Sequence, residues 1–295
     1  MSAGRNAGRT LALAALFAGA IAIGASPLFV KVSEAGPVST AFWRVFLALP
    51  FLWAWTWATT TRDAPAHTVE ARRRLGLAGF YFAGDLAVWH WSIVLTTVAT
   101  ATLLANLAPI FVTLAVWLWL RQRPASRFLF GLALALTGIA LLVGGDVQIS
   151  HEALLGDLFG VITAMFYAAY QLTVTRLRTT TSTARIMAWS STVTAVILLP
   201  LALFSGEQIL PATALGWLKL FGLALIAQVA GQSLIAYAMA HLPPRLSSAG
   251  LLLQPVMAAL FAWLLLGETL GALQLMGALL VLVGIRIAHQ AEAAK

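Results

Sequence analysis

Long apolar runs broken by short polar or Gly/Pro punctuation make up nearly the whole chain. Ten of them reach the about 17 to 25 residues that a helix needs to cross a bilayer core, at 10–31, 38–59, 75–96, 99–120, 127–145, 155–175, 184–204, 214–239, 246–266 and 271–290. The pattern predicts an all-α integral membrane protein with ten transmembrane helices. Two junctions, Thr96-Thr97 and Gly267 to Leu270, are so tight that run length alone divides the helices there.

The runs repeat. A shift of 146 residues lays NLAPIFVTLAVWLWL (106–120) over LLQPVMAALFAWLLL (252–266), so that Pro109 meets Pro255 and Trp117 meets Trp263. Further on, Gly131 meets Gly277 and Gly138 meets Gly284. Each half, 1–147 and 148–295, then holds five helices, and because five is odd the second half is expected upside down relative to the first. Inverted five-helix repeats with broken helices are a transporter plan in which the substrate sits near the midplane.

Charge adds an orientation. With the N-terminus on the cytoplasmic side, fifteen of the 18 Lys and Arg fall on that side, Lys31 and Lys219 fall opposite, and Arg44 lies within the second helix. The positive-inside rule accounts for this asymmetry and places both termini in the cytoplasm. The net charge of +8 is therefore a topology signal, and nucleic acid is not an expected partner. Composition agrees with the bilayer as the principal partner: 61% of the 295 residues are hydrophobic, 9% are charged, and the mean hydropathy is +0.90. Soluble domains carry roughly 25% charged residues. The loops are too short for a soluble domain. The first run is read as a helix rather than a signal peptide, being long, holding Pro27 and having a counterpart in the second half.

The inverted repeat, the stretch GASPLFVK (24–31) ahead of Arg44, the paired Pro109 and Pro255, and LLLGETLGALQLMGALLVLVGI (264–285) together resemble the EamA-type branch of the drug/metabolite transporter superfamily. The resemblance covers essentially the whole chain. Leu266-Gly267-Glu268 is its most typical piece, and Arg121-Gln122 replaces the Gly-Glu in the first half. It implies a multi-pass exporter of small metabolites in the inner or plasma membrane. The branch with aromatic-rich cavities exports amino acids such as aromatic residues, methionine and threonine. No cofactor or metal is implied, and a monomer suffices for the plan.

Candidate pathway residues come from polar positions that share helical faces. Gln228 and Gln232 are four apart on helix 8, and the repeat sets Phe82 against Gln228, with Trp89 on the same face of helix 3 and Asp85 and His90 flanking it. Thr163, Tyr167, Tyr170 and Gln171 form a polar-aromatic stripe on helix 6. Asn106 and Gln254 each stand close to a proline. Mid-helix, Pro109 and Pro255 disturb the carbonyls of Ala105 and Leu251, which need water or another partner. Together these groups fit a small-molecule substrate with polar ends and an apolar side chain; each amide alone equally fits an interhelical hydrogen bond worth around 1 kcal/mol.

Asp85 stands out, because a carboxylate at a helix centre costs about 2.5 to 3.5 kcal/mol to insert. Three roles are open to it: a structural partner for Arg44, a ligand for a substrate ammonium, or a proton-coupling group. His90, which titrates near neutrality, bears on the third but lies about 140° round the helix from Asp85. Enzyme classes find no support: HExxH, paired DxxD and GxSxG are missing, Gly144-Gly145-Asp146 lacks the first Gly of a GxGD motif, and the absence of Cys removes thiolate chemistry. The alternatives are a passive facilitator or channel, or an exporter of other small metabolites or drugs such as nucleobases and cationic compounds.

Overall fold

The computed structural model describes residues 2–59, 68–96, 98–143, 151–267 and 270–293. Within them, sixteen helical segments join end to end into ten rods. These are α1 (Ser2–Gly24 and Ser26–Lys31), α2 (Pro37–Phe46 and Leu49–Thr59), α3 (Val69–Leu95), α4 (Val98–Ala105 and Ala108–Leu120) and α5 (Ser126–Val143). There follow α6 (His151–Leu177), α7 (Thr183–Phe204), α8 (Ala214–Leu223, Ala224–Gln232 and Ser233–Ala238), α9 (Pro244–Gly250 and Leu253–Leu266) and α10 (Ala272–Ala293). Nine of the rods are long and apolar enough to cross a membrane. The exception is α3, whose apolar stretch is diluted by Asp85, His90 and the charges of its first turns. Large apolar side chains such as Trp57, Phe130, Phe204 and Leu265 are exposed on the outer surface, as a bilayer solvent requires.

The tight junctions are true breaks. Backbone extension at Thr96 ends α3, and Gly267, at φ 69°, ends α9 in the left-handed conformation that glycine adopts without a Cβ clash. Glu268, like Gly144-Gly145-Asp146, lies outside the described residues.

Packing is closest where side chains are smallest. A Cβ on Gly138 would stand 2.6 Å from the carbonyl oxygen of Gly277, and one on Gly131 would stand 2.7 Å from that of Gly284. The earlier glycine of α5 thus faces the later glycine of α10, so the two rods cross antiparallel. The other main packing pairs are α3 with α6, α2 with α7, α1 with α8, α4 with α6, α3 with α7 and α1 with α9. Exchanging each rod of the first five for its counterpart in the second five maps this set onto itself except for α3 with α7, whose counterpart, α8 with α2, packs less extensively.

Prolines divide the rods that surround the centre. Pro27 opens the second piece of α1 and Pro109 that of α4, each at the start of a helix where its missing N–H costs nothing. Pro255 sits just inside the second piece of α9, after a break at Leu251-Leu252. The Leu251 carbonyl is answered locally by the Gln254 N–H at 2.9 Å. In α8 the middle piece, Ala224–Gln232, is a π-helical stretch with one extra residue per bond, a form that recurs at functional sites.

Candidate functional site

The breaks surround a cavity of about 180 Å³. Its walls come from α1, α3, α4, α6, α8 and α9, with Arg44 reaching in from α2. The lining follows the repeat around both prolines: Thr102 with Ser248, Ala105 with Leu251, Asn106 with Leu252, Ala108 with Gln254, and Pro109 with Pro255. Thr102 and Ser248 escaped the reading of the sequence, although each stands seven residues, two helical turns, before its proline.

Of the residues expected at the pathway, Phe82, Trp89, Asn106, Thr163, Tyr167, Gln171, Gln232 and Gln254 line this cavity, together with Asp85, Arg44, Pro27, Pro109 and Pro255. Two do not. Gln228 lies behind the wall, where its Oε1 accepts from Arg44 Nε at 3.2 Å and its Nε2 donates to Ser191 Oγ at 3.0 Å. Tyr170 is also set back: its ring stacks on Phe82 at 4.9 Å and on Tyr167 at 6.2 Å, and its hydroxyl meets Met187. It shares the helix-6 stripe in sequence, but its position one step round from Tyr167 buries it against α3 and α7. The side chain of His90 lies outside the described residues.

Polar atoms without a partner among the described residues converge on the cavity. They include Thr163 Oγ1, both amide atoms of Gln171, Gln232 Oε1, Ser248 Oγ and Gln254 Nε2. Buried polar atoms are nearly always bonded, so such a convergence on one space marks a place prepared for a polar guest. Aromatic surface from Phe82, Trp89 and Tyr167 faces the same space.

The two charges are held differently. Arg44 is buried, its guanidinium fixed by Gln228, by Ser26 Oγ at 3.3 Å and by the Phe82 ring at 5.9 Å. Asp85 is half-buried on the cavity wall and accepts no hydrogen bond from a described residue. The field of Arg44 reaches it, yet no direct ion pair closes between them; of the three roles open to Asp85, direct pairing with Arg44 is the one this geometry does not display. Ser26 and Gln228 compete for the guanidinium and hold it on the α1/α8 side.

Toward the basic end of the rods Pro244–Gly250 gives Ser248 to the cavity wall and packs on Ala108–Leu120 and on α6. Arg245 anchors that segment from a buried position, with Nε 3.2 Å from Glu292 Oε1, Nη1 donating to the Gln122 carbonyl at 3.1 Å, and its guanidinium over Phe128. In the sequence Arg245 is only one of the fifteen basic residues counted on the cytoplasmic side; its distant partners leave no local signal.

Comparison with known proteins fits this geometry. The EamA-like transporter family matches residues 10–144 and again 154–288, two copies in tandem. The chain belongs to that family. It is therefore a transporter rather than an enzyme, and a multi-pass membrane protein. An uncharacterized transporter of Archaeoglobus fulgidus is 27% identical over 275 residues, 93% of this chain and 95% of that one. A probable terminal-alkyne amino-acid exporter of Streptantibioticus cattleyicolor is 28% identical over 203 residues, 68% of this chain and 67% of that one. A solved crystal structure shares the fold at a TM-score of 0.81 and 16% identity, covering 96% of this chain and 98% of that one.

Proposed function

We propose that this EamA-family transporter exports amino acids with aromatic or apolar side chains, working by alternating access between two inverted five-helix halves, 1–147 and 148–295. Helix α3 is the tenth crossing, the termini are cytoplasmic, and the site of action is the inner or plasma membrane. The antiparallel crossing of α5 and α10, the exchange symmetry of the packing and the tandem family match all support the inverted arrangement.

One observation carries the substrate class: a carboxylate and a guanidinium share one cavity without bridging each other. Asp85 has open valences for an ammonium, and no described residue accepts from Arg44 Nη2, which suits a carboxylate. Gln171, Gln232 and Gln254 add neutral donors and acceptors, while Trp89, Tyr167 and Phe82 wall the side chain. A zwitterion satisfies both charges at once, whereas a nucleobase or a simple cation leaves one unanswered. The Streptantibioticus relative, described as a probable amino-acid exporter, agrees in class. The packing of Pro244–Gly250 on Ala108–Leu120 and on α6 argues against a continuous channel.

Counterflow in proteoliposomes tests the reading with labelled amino acids and nucleobases side by side. Phenylalanine and methionine should exchange and nucleobases should not; no exchange by any amino acid ends the proposal. Tyr167→Ala and Trp89→Ala should weaken phenylalanine exchange more than threonine exchange. Uphill accumulation under an imposed pH gradient separates a coupled carrier from a facilitator.

A further inference from the structure

A second space, of about 470 Å³, lies apart from the cavity, between α3, α4 and α6 at their basic ends. The break ahead of Pro109 creates it. Helix α3 packs on Val98–Ala105, the first piece of α4, but scarcely on Ala108–Leu120, so the two rods splay into a wedge floored by α6. Its walls are apolar, with Tyr81, Phe111, Trp119 and Met165 along them. Trp119 is 71% and Met165 51% exposed, so the wedge opens toward the hydrocarbon rather than toward the central cavity.

The rim carries the opposite chemistry. Arg73, Arg74, Arg176 and Glu70 stand at its basic end. Glu70 is taken by Arg74, Oε1 to Nε at 2.8 Å. Arg73 and Arg176 have no partner among the described residues, leaving two cations at headgroup level directly above an apolar slot. Basic pockets between transmembrane helices on the cytoplasmic side bind anionic lipid headgroups.

We propose that this wedge is a binding site for an anionic glycerophospholipid, its phosphate on Arg73 and Arg176 and one acyl chain between α3 and α4. A neutral lipid would leave both arginines unanswered, and a free anion would leave the slot unfilled. The repeat puts Lys219 on α8 in the place of Arg73, but there the ammonium is engaged by the Val32 carbonyl at 3.0 Å. The site thus belongs to one face of the molecule.

Titration of the full chain in detergent tests this with three probes: dioleoylphosphatidylglycerol, dioleoylphosphatidylcholine and glycerol phosphate. Native mass spectrometry and thermal unfolding are the readouts. Phosphatidylglycerol should bind and raise the melting temperature; phosphatidylcholine and glycerol phosphate should do neither. Arg73→Gln and Arg176→Gln should each weaken phosphatidylglycerol binding roughly fivefold, and Arg72→Gln, outside the wedge, should leave it unchanged. Ala115→Trp, which fills the slot without touching a charge, should abolish binding while the lipid-free melting temperature stays put. Equal binding of both lipids, a full response to glycerol phosphate, or undiminished binding by the Arg73→Gln/Arg176→Gln double variant would overturn the proposal.

Discussion

Helices α3 and α8 occupy equivalent places in the 146-residue registry, yet they have parted in backbone as well as in side chains. Both are capped by a threonine, Thr68 accepting from Ala71 N–H and Thr213 from Gly216 N–H. Beyond the caps, α3 stays α-helical through Leu95 and presents Asp85 to the cavity, where α8 has Gly231. Helix α8 loosens into a π turn and presents amides, with Gln228 turned to Arg44 and Gln232 to the cavity. The registry places Phe82 and Leu86 opposite these two amides. Duplication preserved the packing frame, while the polar chemistry diverged: the ionic groups, Arg44 and Asp85, sit in the first half, and Gln228, which binds Arg44, and Gln232 sit in the second.

Removing the ion that ties the two helices together should have the largest effect. Arg44→Ala removes two hydrogen bonds from a charged donor, to Gln228 and Ser26, each worth about 1.5–3 kcal/mol, and takes away the cation whose field reaches Asp85. Thermal unfolding in detergent measures this, and adding Asp85→Asn should restore part of the loss. No restoration would mean that the two charges are uncoupled.

Transport separates the helices next. Asp85→Asn should fold normally and lose amino-acid exchange roughly ten- to hundredfold, the worth of a hydrogen bond to a charged group, about 1.5–3 kcal/mol. Gln232→Leu, which installs the α3 residue on α8, should cost only about fivefold, as for a neutral bond of about 1 kcal/mol. Equal losses would erase the distinction between an ionic and an amide wall.

The shared frame has its own test, away from the cavity. Gly131→Ala and Gly277→Ala are equivalent in the registry, and each puts a Cβ within 2.6 Å of backbone on the partner rod. Each should destabilise by about 1–3 kcal/mol, and by similar amounts. A large inequality would show that the crossing of α5 and α10 is not symmetric in energy.

The smallest effect concerns the caps. Thr213 gives its hydroxyl and its N–H to the Glu34 carboxylate, which lowers the Glu34 pKa below the ordinary carboxylate value; among the described residues no acid holds Thr68 in this way. A depressed pKa contributes stability that is present above the unfolded-state value and lost as the pH falls through the folded-state value. Glu34→Gln should therefore lower the melting temperature slightly at neutral pH and leave it almost unchanged in acid, which flattens the acid limb of the profile.

Sequence alone determined the rods, the prolines that break them, the glycines that let α5 and α10 touch, and most of the cavity wall, Asn106, Tyr167, Gln171 and Gln254 included. These follow from run length and helical period, which are local properties of the chain. The tertiary structure decided which of two residues on one face reaches the cavity. Gln232 does and Gln228 does not, because a cation 184 positions away claims the latter. Tyr167 does and Tyr170 does not, because Phe82 stacks on the second ring. It also turned Arg245 from a loop charge into a buried anchor. Rotation of one rod against another sets such partnerships, and the period of a single helix carries no information about that angle.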